Sequence, residues 1–127
     1  GNPEKAAFTA EELLKFTQSL DLGPSLQGTL ETNAEILAHR NPKDNAHIDG
    51  MMKQASTLLE RTHSPWLKIQ HLMARARIGL RLGRLECAQK DLGEARCLYR
   101  QLGVESGTRE LWIIEKALEE AEMERRK

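Results

Sequence analysis

Ile69-Gln70-His71-Leu72-Met73-Ala74-Arg75-Ala76-Arg77-Ile78-Gly79-Leu80-Arg81-Leu82, then Gly83-Arg84, then Leu85-Glu86-Cys87-Ala88-Gln89-Lys90-Asp91-Leu92-Gly93-Glu94-Ala95-Arg96, is the stretch that decides the fold. It reads as two helices joined by a tight break at Gly83-Arg84. Small residues stand at Ala76, Gly83, Ala88 and Ala95, and large apolar ones at Leu72, Leu85 and Leu92. Two antiparallel helices pack in this way, because small residues let the backbones approach and large ones fill the seam.

The same logic extends to both sides. Ser64 and Pro65 supply an N-cap and a first helical residue, so the helix before the break starts at Pro65 and runs to Leu82. The helix after it runs from Leu85 to about Leu102, with Gly103 as its cap. Upstream, Thr9 and Glu12 form a capping box for a helix with Leu13, Leu14, Phe16 and Leu20 on its apolar face. A second helix follows Pro24 to about His39, with Leu26, Leu30, Ala34 and Leu37 at helical spacing. Arg40 to Asn45 is a loop, and a third helix spans about Ile48 to Arg61. Downstream, Ser106-Gly107-Thr108 opens a last helix from Arg109 to about Arg125. Six helices result, with no strand pattern.

Composition agrees. The 127 residues suffice for one core, and 30% charged with 39% hydrophobic residues is ordinary for a globular protein. Few aromatics and abundant Ala, Leu, Glu and Arg favour helix over sheet. No apolar run approaches the roughly 18 residues that a membrane span needs. Gly1 to Phe8 lacks the features of a signal peptide, and a start without Met predicts a fragment of a longer chain. Residues 1–8 are expected to be disordered or cloning-derived, and 9–127 to form a single helical domain. Cys87 and Cys97 lie ten apart on one helix, about 15 Å along its axis, too far for a disulfide. Reduced packing thiols in an intracellular protein, cytoplasmic or nuclear, are the natural reading.

The central stretch resembles a tetratricopeptide repeat, a unit of about 34 residues made of two helices and a turn. Leu72, Ala76, Gly83, Leu85, Ala88, Leu92 and Ala95 fill the family's large and small places. Leu72 stands where the family often has Trp, Arg75 where it often has Leu, and Gly79 where it often has Tyr. Gly50, Met52, Ala55 and Leu59 lie 33 residues before Gly83, Leu85, Ala88 and Leu92, close to the repeat length. The resemblance implies an all-α right-handed superhelical stack of about six helices, in antiparallel helical hairpins. It also implies a groove that holds an extended peptide or a partner helix.

Carried over residue by residue, the resemblance places Gln70, Met73, Arg77, Leu80 and Arg81 on that groove. At about 100° per residue, Gln70, Arg77, Arg81 and Arg84 fall within about 60° of one another, with Met73 and Leu80 at the edge. Guanidinium groups beside apolar neighbours suit an acidic peptide or a C-terminal carboxylate. A solvated arginine face is the other reading. The net charge is zero, but residues 64–100 carry eight Lys/Arg against three Asp/Glu. These charges spread round two helices without interleaved aromatics, which argues against nucleic acid. Trp66 is expected to anchor the start of its helix in the core.

The last helix carries Leu111, Ile114, Leu118 and Ala121 at heptad-like spacing. Trp112 and Ile113 lie off that seam. They predict a second apolar side, awaiting a further repeat, a second copy of the chain or a partner helix. The polar end from Glu119 to Lys127 suits a terminal cap.

No spacing in the chain carries recognisable chemistry. His39, His47, His63 and His71 form no i, i+4 metal pair, and His47 near Asp44 and Asp49 is ordinary loop composition. There is no phosphate loop, nucleophile elbow or CxxC. The expectation is a non-catalytic protein-interaction module without cofactor or metal. Its alternatives are a homodimerisation domain and a regulatory helical domain of a larger signalling or transcription protein.

Overall fold

The structure, a computed structural model, describes residues 23–104 and 108–126. Five helices make up these residues: α1 (Gly23–Arg40), α2 (Asn45–Thr62), α3 (Pro65–Leu82), α4 (Leu85–Gln101) and α5 (Arg109–Arg126). The described residues contain no strand. Five helices therefore stand against the six expected; the helix expected at Thr9 to Leu20, like residues 1–8, lies outside the described residues. The chain divides into two compact units, Gly1–Leu67 and Lys68–Lys127, and the boundary falls inside α3.

In the first unit α1 packs on α2. Leu30, Ala34 and Ala38 of α1 and Ile48, Met51, Met52 and Ala55 of α2 are buried, each set on one helical face. The Asn33 amide donates to Met51 Sδ at 3.1 Å. The helix α2 starts three residues before the expected Ile48, where the Ile48 amide bonds the Asp44 carbonyl at 3.1 Å. Its first turn, Asn45-Ala46-His47, is exposed, so apolar periodicity gives no sign of it. His63, left-handed at φ 54°, ends α2, and Ser64 Oγ then accepts the Leu67 amide at 3.3 Å as the N-cap of α3.

In the second unit the ion pairs fix helix direction. Lys68 meets Glu94 at 3.3 Å and Arg75 meets Asp91 at 2.8 Å, so α3 and α4 run antiparallel. Arg96 pairs with Glu115, and Glu86 with Arg125 at 2.6 Å, so α4 and α5 do too. The core joins Ile69, Leu72, Met73 and Ala76 to Leu85, Ala88, Leu92, Ala95 and Tyr99, and to Leu111, Ile114 and Leu118. Thr108 Oγ caps α5 by accepting the Leu111 amide at 3.3 Å. At Gly79 the α3 backbone comes so close that a Cβ there would lie 3.3 Å from the Arg84 carbonyl oxygen and 3.5 Å from Ala88 Cβ. Any side chain there requires the Arg84 carbonyl to give way by a few tenths of an ångström.

Gly83 turns the chain between α3 and α4. Its φ is +78°, and the Arg84 amide reaches back to the Gly79 carbonyl at 2.7 Å in a Schellman arrangement. Gly103 repeats the device at the end of α4, at φ +83°. Gly83→Ala is expected to cost about 1 kcal/mol, because a Cβ disfavours this conformation. Thermal unfolding should register the loss as a fall of about 5 °C.

The 33-residue self-similarity appears in burial but not in backbone. Met52 and Leu85 are buried alike, as are Ala55 and Ala88. Gly50, however, lies exposed within α2, whereas Gly83 ends a helix. The helices themselves recur at a wider interval: α3 starts 42 residues after α1 (Pro65 against Gly23), and α4 starts 40 after α2 (Leu85 against Asn45).

Trp66 does not anchor the core. It is 53% exposed in the first turn of α3. Core-facing positions on that helix begin one turn later, at Ile69 and Leu72, and Trp66 sits to one side of that stripe.

Candidate functional site

The six residues expected to line a groove on α3 part company. Gln70 and Arg81 are exposed. Met73 is buried in the second unit's core, with the Tyr99 hydroxyl 3.9 Å from its Sδ. Leu80 is half-buried and packs against the same core. Arg77 is half-buried and its guanidinium holds the Glu110 carboxylate of α5. Arg84 is half-buried in the turn before α4. Met73 and Leu80 are therefore core residues rather than groove residues, and Arg77 already grips an acidic group of its own chain. Glu110, in the first turn of α5, reaches this side of α3 through that ion pair, a partner that angles along α3 alone cannot contain.

Charges inside the unit are largely matched. Asp91 is buried and takes two hydrogen bonds from Arg75, Nε at 3.0 Å and Nη2 at 2.8 Å. The carboxylate holds the Arg75 pKa above its ordinary value. In the first turn of α4, the Glu86 backbone N–H and then the Arg125 guanidinium hold the Glu86 carboxyl below its ordinary value. These two charges border a shallow cleft of about 420 Å³ lined by Leu85, Gln89, Glu122 and Arg126. Cys87 and Cys97 are exposed free thiols. His47 Nδ1 lies 3.5 Å from Asp44, and among the described residues no three His, Cys, Asp or Glu side chains gather to hold a metal.

The outward face of α5 is different. Its inward seam, Leu111, Ile114 and Leu118, is buried, with Ala121 packed against the core. Trp112 is 55% exposed, Ile113 51% and Met123 62%. Between Trp112 and Met123 stand Lys116, its Nζ 5.7 Å from the Trp112 ring centroid, and Glu119, whose Oε2 is 3.3 Å from that Nζ. Trp112, Lys116, Glu119 and Met123 follow one another at steps of four, three and four. That is a second heptad-like stripe, opposite the one that builds the core. Trp112 and Ile113 were legible as off-seam residues. Lys116, Glu119 and Met123 were missed, although the recurrence of the three-four step was their signal.

No family model, curated protein or solved structure matches this chain.

Trp112 and Met123 leave apolar area exposed on one face of α5, with a cation and an anion between them, and Ile113 exposes more on the adjoining side. No helix among the described residues is long and apolar enough to cross a membrane.

Proposed function

We propose that this chain is a non-catalytic protein-interaction module, a tetratricopeptide-like stack of antiparallel helical hairpins that docks partners through α5. The observation that carries the proposal is the exposed Trp112 and Met123, flanked by exposed Ile113, on a helix whose opposite face lies in the core. Burying each of these side chains would contribute on the order of 1–2 kcal/mol. The exposed thiols of Cys87 and Cys97 suit a reducing, intracellular compartment.

A second docking mode on α3 is favoured by the Arg77–Glu110 pair, which shows a guanidinium on this face already engaging a carboxylate. Arg81, one turn further on, is exposed. An acidic segment of a partner would use it together with Gln70.

Affinity capture from cell extract distinguishes these modes, with circular dichroism as the folding control. The wild type should retain a protein that Trp112→Ser/Ile113→Ser loses. Loss on Arg81→Glu instead, with retention by the α5 variant, transfers the function to α3. Retention of every bound protein by both variants overturns the proposal.

A further inference from the structure

We infer that the outward stripe of α5 pairs antiparallel with the same stripe of a second copy of this chain. The inference rests on the reading of α5 as a docking surface and names its occupant. Its basis is the order of residues along the stripe: Arg109, Trp112, Lys116, Glu119, Met123 and Arg126, at steps of three, four, three, four and three. All six are exposed.

In an antiparallel helix pair, residues on opposite strands meet when their numbers add to a constant. Centring the two-fold axis between Ala117 and Leu118 sets Lys116 against Glu119 of the second copy, and Glu119 against Lys116 of the second copy. The same axis sets Trp112 against Met123, an aromatic ring against a thioether, at both ends of the contact. Symmetry makes every favourable pair occur twice, as an isologous interface requires. Ile113 flanks the stripe and adds apolar area. The like-charged Arg109 and Arg126 meet only at the outer ends, where both reach water.

A parallel pair would place Lys116 on Lys116 and Glu119 on Glu119, so charge alone selects the antiparallel arrangement. The local Lys116–Glu119 contact at 3.3 Å shows that these two groups already meet within one helix. On pairing, each gains a partner across the axis without leaving the first.

The contact is small. About six side chains from each copy is far below the roughly 20–30 residues a side of a standard stable interface, so the dimer is weak and forms at high concentration. Sedimentation velocity of the chain from about 10 µM to about 1 mM measures it.

The wild type should pass from monomer to dimer across that range. Lys116→Glu gathers four carboxylates at the axis, and Glu119→Lys gathers four ammonium groups. Each should weaken association by about tenfold, with circular dichroism unchanged. An equimolar mixture of the two variants restores opposite charges at both contacts and should dimerise as the wild type does. In a parallel pair each single substitution only exchanges one like-charge contact for another, so weakening by both variants together with rescue by the mixture marks the antiparallel arrangement.

A wild type that stays monomeric throughout overturns the inference. So does a dimer indifferent to both substitutions, or one that the mixture fails to restore. If the chain stays monomeric while Trp112→Ser/Ile113→Ser loses a protein in extract capture, the docking surface stands and its occupant is a different protein. If neither effect appears, both readings fall.

Discussion

Leu72→Ala is expected to remove about 3 kcal/mol of unfolding free energy. Leu72 is 2% exposed and belongs to the cluster that joins α3, α4 and α5. Truncation forfeits the transfer free energy of three carbon groups and leaves a cavity that helices held at several points close only in part. The neighbouring Ala76, Ala88 and Ala95 are fully buried and too short to reach into it. In urea the midpoint should fall by about 1–3 M at unchanged slope. Hydrogen exchange should place the lost protection in residues 68–126 rather than in α1 and α2, because the first unit has its own core. A shift below about 1 kcal/mol would show that Leu72 does not hold the three helices together.

The Arg75–Asp91 pair should respond asymmetrically. Arg75→Ala is expected to cost about 3 kcal/mol and Asp91→Ala about 1–2 kcal/mol. The two side chains make the same hydrogen bonds but differ in surroundings: Asp91 is 6% exposed at its side chain and Arg75 46%. Removing Arg75 strands a carboxylate away from water. Removing Asp91 leaves a guanidinium that hydrates where it stands. Replacing both by leucine should cost less than Arg75→Ala alone, because no charge is then left without a partner. Denaturant unfolding of the three variants measures the order. A larger loss for Asp91→Ala than for Arg75→Ala would contradict the burial argument.

The pair also explains a departure from the repeat pattern. Arg75 stands where the resemblance implies an apolar residue. The structure turns it to the rim of the α3–α4 seam, where it clamps a residue 16 positions away. Gly79 is explained similarly, by the Arg84 carbonyl and Ala88 that lie against it.

How far the sequence reaches can be judged element by element. Pro65–Leu82 was legible to the residue, because Ser64, Pro65 and Gly83 act on their own neighbours through capping, a fixed φ and freedom at positive φ. The inward seam Leu111, Ile114 and Leu118 was legible because helical periodicity is itself a local property. The start of α2 escaped, since an exposed polar turn has no periodicity to display. Trp66 escaped as well, because being large and apolar does not decide which way a first-turn residue faces.

By itself the sequence determined the all-α class, the breaks at Gly83 and Gly103, and the two-sided character of α5. Each depends on residues within a few positions of one another, where backbone sterics and hydrogen bonding act directly. Only the tertiary structure decided that Met73 lies in the core, that Arg77 grips Glu110 and that Arg75 grips Asp91. Those partners are chosen by which helix faces which, and that is settled by packing the apolar faces of α3, α4 and α5 together rather than by any signal along one of them.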